Sequence, residues 1–395
     1  MAGAEGAAIS AEAGESGMPE TYRYKDRKKL RCGYTTGACA AAAAGAAARI
    51  LVSGEILSRV QLQLPGGQSL SLPAELVACD ADRVSCGVRK DGGDDRDVTH
   101  GALIVAEVKK EPVSGIRITG GPGVGIVTAP GLEQPPGSYA INRVPRQMIK
   151  EAVKAAAAAA GYKGGFLVTV SVPEGEALAA RTFNPSLGIK GGISILGTSG
   201  IVEPMSEQAL VDTIKLEMNM QAARGRRYCI LTPGNYGLDY LTGVMGLDRG
   251  HAIKCGNFIG DAIDMAPSCH MKGLLLTGHL GKLVKLGAGM MNTHSRYGDG
   301  RMEVLCACAL EAGGDLDLLK GIMDCVSTDA AVSLLREAQL AEAVMDILMR
   351  KIAFHLQKRV YEGIRIGAVV FSHEHGLLGQ TKEAAELVAQ IRREA

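Results

Sequence analysis

The second half of the chain repeats one pattern: a short apolar run, a glycine-containing loop, then a helical segment. The runs are CILTP (229–233), GLLLTG (273–278) and IGAVVF (366–371). Apolar stretches of this length without polar alternation suit strands buried on both faces. Strands that alternate with helices imply a parallel sheet covered on each side. ISILG (193–197) reads as the first strand of this series, and Ser206 then caps a helix with Leu210, Ile214 and Met218 four apart on one face. FIGDAIDMA (258–266), LGKLVKLGAGMM (280–291) and most of 301–360 read as helix, and the chain ends in another.

The first half has a different rhythm. Thr35 and Thr36 precede an Ala-rich segment that predicts a helix over about 37–52, stopped by Ser53-Gly54. VQLQL (60–64), SLSLP, RVSCGV and ALIVAEV follow as strands between Gly, Asp and Pro, and IRITGGPGVGIV (116–127) reads as strand, turn, strand. Pro145 opens a helix that runs to about Ala160 before Gly161, and FLVTVSV (166–172) is another strand. The expected fold class is α/β. A disordered tail over 1–29 precedes an α+β domain over 30–185. That domain docks tightly on a second, α/β domain over 186–395, which has a mostly parallel sheet and holds the cofactor site. Nothing near 180–190 has linker composition, and no internal repeat is visible.

Composition narrows the function classes. Lys and Arg number 43 against 42 Asp and Glu, and aromatic residues make up 4% of the chain, so neither a basic field nor a set of stacking platforms points to nucleic acid. With five Phe and no Trp, the cores must be filled by aliphatic residues and Met. None of the ten Cys forms a C-x-x-C pair, and the first 20 residues carry no Lys or Arg, so they lack a secretory n-region. Reduced thiols in a cytoplasmic protein are expected. The run Ala38–Ala48 is too short to span a bilayer and is followed by Arg49, so no membrane association is expected. Whether the chain forms a homo-oligomer stays open.

Candidate site residues lie on the loops. In GGPGVG (120–125), Ile126 stands where a phosphate loop needs Lys, which leaves Gly121 and Gly123 as a turn or as a backbone nest facing a substrate. In LGTSGIVEPMS (196–206), Gly197, Thr198, Ser199 and Gly200 offer close backbone approach and hydroxyls to a cofactor, and Glu203 offers a carboxylate for a ribose or as a general base. Gly234, Asn235 and Tyr236 in TPGNYG form a second cofactor loop, with Tyr236 able to stack on an adenine. Lys282 and Lys285, three apart on a helix, suit substrate carboxylates, and His279 and His294 are the other acid–base candidates. Each has an ordinary alternative: a β–α turn, a solvated basic face, a surface histidine. His373 and His375 form H-E-H, not H-E-x-x-H, and no metal site is expected.

Taken together, LRCGYTTGACAAAAA (30–44), GGPGVGIVTAPGL (120–132), INRVPRQMI (141–149), FNPSLGIKGGISILGTSGIVEPMSEQAL (183–210), GNYG (234–237), KCGNFIG (254–260) and GHLGKLVKLGAGMMNTHS (278–295) resemble the CbiD family, the cobalt-precorrin-5B C1-methyltransferases, over most of 30–395. The resemblance implies methyl transfer from S-adenosyl-L-methionine to C1 of a cobalt-corrin precursor, giving cobalt-precorrin-6A in anaerobic cobalamin synthesis. The cobalt is carried by the substrate. It transfers no catalytic residue. A nucleotide-binding transferase and a non-catalytic corrinoid-binding protein stay open as alternatives.

Overall fold

The computed structural model describes residues 9–13, 19–25, 27–95 and 97–394. Two compact units divide between Ser206 and Glu207, beyond the expected boundary at 185/186.

In the first unit, helix α1 (Thr36–Ser53) starts where the sequence predicts. Thr35 Oγ1 accepts from the Ala38 N–H at 3.1 Å, and Gly54 closes the helix at φ 74°. The unit's sheet has strands β1 (Glu75–Cys79), β2 (Arg83–Arg89), β3 (Leu103–Glu111), β4 (Ile116–Gly120) and β5 (Gly165–Ser171), in the order β4-β5-β3-β2-β1. Only β4 and β5 run parallel. The register aligns Val84 with Val108, Val108 with Val168, and Val168 with Ile118, so the apolar side chains form one row across the sheet. That face packs with α1 and with α2 (Arg143–Ala159) in one core. Small side chains let α1 approach closely. A Cβ at Gly45 would come 3.2 Å from that of Ala152, and Ala38–Ala44 have no exposed surface. α1 is long and apolar enough to cross a membrane by length and composition, contrary to the sequence reading, but it is the core helix of this unit.

The boundary moves because 189–202 pair with first-unit segments. Ile189–Lys190 is antiparallel to Ile126–Val127, Gly192–Ile193 is parallel to Gly123–Val124, and Ile201–Val202 is antiparallel to Gly33–Tyr34. The expected strand 193–197 is therefore reduced to a short bridge in the first unit, where it belongs to no parallel sheet of the second. Within the predicted tail, Pro19–Lys25 pairs antiparallel with Lys28–Arg31 and with Ile9–Ala13; the rest of that expectation, over 1–8 and 14–18, lies outside the described residues.

The second unit is the α/β arrangement the apolar runs predict. Its strands are β6 (Tyr228–Thr232), β7 (Ala252–Lys254), β8 (Gly273–His279), β9 (Arg365–Ser372) and β10 (Gly376–Gln380), in the order β7-β6-β8-β9-β10. The first four are parallel and β10 is antiparallel. Side chains alternate into two separate cores. Leu231, Leu274, Leu276, Ile366 and Val370 face one, with helices between 301 and 359; Ile230, Leu275 and Val369 face the other, with Leu387 and Ile391. α3 (Glu207–Ala223) follows Ser206 directly and buries Ile214 and Met218, while Leu210 is 57% exposed and does not join the predicted face. α4 (Asn235–Gly243) follows β6, α5 (Ile259–Met265) follows β7, and α6 (Leu280–Leu283) follows β8. The predicted helix 280–291 is shorter than expected: it tightens to a 3-10 turn over Val284–Ala288 and ends at Gly289, φ 76°.

Candidate functional site

The path of the second unit creates a crevice. From β6 the chain moves to β7 on one side, and from β8 to β9 on the other. Leu241 of α4 lies in one core and Leu280 and Leu283 of α6 in the opposite one, so the two connections leave on opposite faces. The gap between the carboxyl ends of β6 and β8 is the switch point at which open parallel sheets bind ligands.

One wall is the TPGNYG loop. Gly234 precedes α4 with an extended backbone, no side chain caps the helix, and a Cβ there would stand in open space. Asn235 and Tyr236 occupy the first turn, with Tyr236 60% exposed. Gly237 is required for a different reason: its Cβ would fall 2.8 Å from the Thr277 carbonyl oxygen and 3.0 Å from the Thr232 Cβ. The glycine lets the start of α4 lie directly on the ends of β6 and β8.

The other wall is His279, the last residue of β8. Its Nδ1 accepts the Gly281 N–H at 3.1 Å and caps α6. Its Nε2 lies 3.6 Å from Asp329 Oδ2. Burial lowers the pKa of His279, Asp329 opposes the shift, and His373 adds to it. The neutral ring therefore carries its proton on Nε2, toward Asp329. Nδ1 is thus taken by Gly281, while Nε2 faces Asp329 beyond hydrogen-bond distance. Asp329, which the sequence reading missed, starts α7 (Thr328–Glu337) and takes the Ser372 hydroxyl on its other oxygen. No sequence spacing links residues 279, 329 and 372; parallel β8 and β9 set His279 beside Phe371, next to Ser372, and the helix that begins at Thr328 brings Asp329 to both.

The lysines are not a solvated face. Lys282 Nζ donates to the Pro233 carbonyl at 2.8 Å and to Asn257 Oδ1 at 3.0 Å, bracing the TPGNYG loop, and burial lowers its pKa. Lys285 is buried, and its ammonium donates to the carbonyls of Gly298 at 2.9 Å and Thr293 at 3.3 Å, beside Asp299. These contacts hold the 293–298 loop and occupy the donors that the sequence reading assigned to substrate carboxylates. His294 is exposed, and its Nδ1 accepts the Arg296 N–H at 3.2 Å as a turn cap.

The remaining candidates belong to the first unit. A Cβ at Gly121 would overlap Ser171 Oγ, and one at Gly123 (φ 75°) would overlap the Val172 carbonyl oxygen. Gly197 (φ 138°) faces Thr35, and Gly200 (φ 84°) faces Leu64, whose Cδ2 would be 2.5 Å from an added Cβ. These glycines are accounted for by close approach of protein to protein. Thr198 and Ser199 are exposed, Ser199 Oγ bonding within its own turn to Ile201. Glu203 is paired with Arg23 at 2.6 Å. Among the described residues, no group of three or more His, Cys, Asp and Glu could hold a metal ion.

Two family models match the chain: CbiD over residues 23–204, and the CbiD C-terminal domain over 292–382. β6–β8 and their loops lie between them. A cobalt-precorrin-5B C(1)-methyltransferase of Ruminiclostridium cellulolyticum is 46% identical over 353 residues, which is 89% of this chain and 92% of that protein. One from Thermoanaerobacter sp. is 41% identical over 368 residues, 93% of this chain and 100% of that protein. The crystal structure of the cobalamin biosynthesis protein cbiD from Archaeoglobus fulgidus is 28% identical, covers 74% of this chain and 88% of that one, and superposes with a TM-score of 0.38. With both family models matched and relatives at this identity across nearly the whole sequence, the chain belongs to the CbiD family.

Proposed function

We propose that this protein transfers a methyl group from S-adenosyl-L-methionine to C1 of cobalt-precorrin-5B. The observation that carries the reading is near-full-length similarity, at 46% and 41% identity, to proteins that bear this activity in their names. Cobalt enters as part of the substrate and asks for no metal ligands from the chain.

The switch-point crevice fits the methyl donor. Gly234, Asn235 and Tyr236 would hold it: the open space over Gly234 admits a ligand, and the uncapped start of α4 has free N–H groups for a carboxylate. When bound, the sulfonium supplies an electrophilic methyl group. The residues around it have a limited task. His279 keeps one proton, on Nε2, and burial holds the ring neutral, so it adds no positive charge beside a cationic ligand. Lys282 spends its donors on Pro233 and Asn257 and fixes the loop. Rigid placement of two reactants can supply about 7–11 kcal/mol of a barrier, and an electron-rich macrocycle carbon needs no strong base to accept a methyl group.

The test is to incubate the purified chain with cobalt-precorrin-5B and S-adenosylmethionine and weigh the product. One added methyl group is expected. A macrocycle that is bound but unchanged in mass refutes the reading in favour of a corrinoid-binding protein.

A further inference from the structure

Aromatic side chains are scarce in this chain, yet several meet at one point. Phe371, at the end of β9, stacks on Tyr240 of α4 with ring centroids 4.1 Å apart and planes 5° apart. In front of this pair, of which Phe371 is buried and Tyr240 half-buried, stand His279, with its centroid 6.0 Å from Phe371, and the exposed His373 just past β9. Tyr236 meets His373 edge to face, centroids 4.4 Å apart at 82°, and lies 6.4 Å from His279. His279 is oriented by the cap its Nδ1 makes on α6, with its Nε2 toward Asp329. Ser372, the residue before His373, is tied by its hydroxyl to the same carboxylate and accepts the N–H groups of Glu374 and His375. The result is a right-angled corner of two exposed rings on a fixed base, at the edge of the crevice between β6 and β8.

We infer that the Tyr236–His373 corner is a stacking site for a purine base, held in place by the Asp329–Ser372–His279 contacts. A flat heteroaromatic ring laid on one of two perpendicular rings turns its edge to the other, so face stacking and edge contact are met at once. A bare aliphatic or carboxylate-rich ligand would gain nothing from this geometry. The inference rests on the proposed function, since it assigns the adenine end of S-adenosylmethionine to the corner and leaves the amino-acid end to the start of α4.

The experiment is calorimetric titration of the full chain with S-adenosylhomocysteine. Base–aromatic stacking is typically lost on truncation to alanine with a fall in affinity of about 5- to 150-fold. Tyr236→Ala should weaken binding within that range, and His373→Ala should weaken it by a smaller factor. Tyr236→Phe keeps the ring and should bind as the wild type does, to within roughly twofold. Tyr236 is exposed, so unchanged circular dichroism is expected for both of its variants. If Tyr236→Ala binds as tightly as the wild type, the corner is not the purine site and the methyltransferase reading stands. If Tyr236→Phe is as weak as Tyr236→Ala, the hydroxyl and not the ring makes the contact, and stacking is overturned. If the wild type itself binds no S-adenosylhomocysteine, the proposed function fails with the inference.

Discussion

Gly197→Ala measures how the loop 196–200 is locked onto α1. Four contacts join them. Thr35 N–H donates to the Gly200 carbonyl at 3.0 Å, and Gly37 N–H to the Leu196 carbonyl at 3.0 Å. Thr36 Oγ1 accepts the Leu196 N–H at 3.0 Å and lies 3.2 Å from the Leu196 carbonyl. Gly197 has a φ of 138°, a region that disfavours every side chain, and an added Cβ would overlap Thr35 Oγ1, the atom that caps α1. The backbone strain costs about 1–3 kcal/mol. Displacing the cap costs about 0.5–2 kcal/mol more. Gly197→Ala should therefore destabilise by ~1.5–5 kcal/mol, read from the shift in urea midpoint at constant m-value. Thr35→Gly removes all the overlapping atoms and, because glycine is tolerated at an N-cap, should cost only about a few tenths of a kcal/mol. In the Thr35→Gly background, Gly197→Ala should cost strain alone, leaving a coupling of about 0.5–2 kcal/mol between the two sites. Additive effects, or a single-variant loss below about 0.5 kcal/mol, would refute the steric account. A large coupling would show that this glycine serves the N-cap of α1 whether or not a ligand is bound.

Three further outcomes follow from the second unit. Gly234→Ala meets open space in an extended backbone, so its melting temperature should match the wild type while affinity for S-adenosylhomocysteine falls; unchanged affinity would remove this loop from the cofactor site. Lys285→Met leaves the Thr293 and Gly298 carbonyls without their donor and should lower stability by ~1–3 kcal/mol in chemical denaturation, and a loss confined to macrocycle binding would instead return Lys285 to a substrate role. His251 is fully buried, and burial, followed by Arg226, lowers its pKa against the opposing pull of the Tyr228 backbone, Asp248 and Glu394. Above pH ~6.5 both folded and unfolded states hold it neutral. Below that value the unfolded chain takes up a proton the folded chain refuses, so unfolding free energy falls with a slope of up to ~1.36 kcal/mol per pH unit until the folded pKa is reached. His251→Leu should flatten the stability profile below pH ~6.5, and profiles parallel to the wild type would refute the assignment.

What the sequence determined by itself follows from local rules. The cap at Thr35, the stop at Gly54 and the apolar runs of β6, β8 and β9 were legible because capping chemistry and side-chain periodicity act over a few residues. The family was legible from motif order. Tertiary structure decided the rest. Gly192–Ile193 and Ile201–Val202 joined the first unit because their partners, Gly123–Val124 and Gly33–Tyr34, lie far away in sequence and no local signal encodes that pairing. Lys285 reads as an exposed basic residue in one dimension, yet the turn at Gly289 brings the 293–298 carbonyls over its ammonium and makes it a buried donor. His279 reads as a base, yet Gly281 occupies its Nδ1 and the fold sets Asp329 3.6 Å from its Nε2. The crevice itself is a property of strand order: β6 and β8 are neighbours whose connections leave on opposite faces, and that order is set by which apolar faces can be buried together, which no single segment contains.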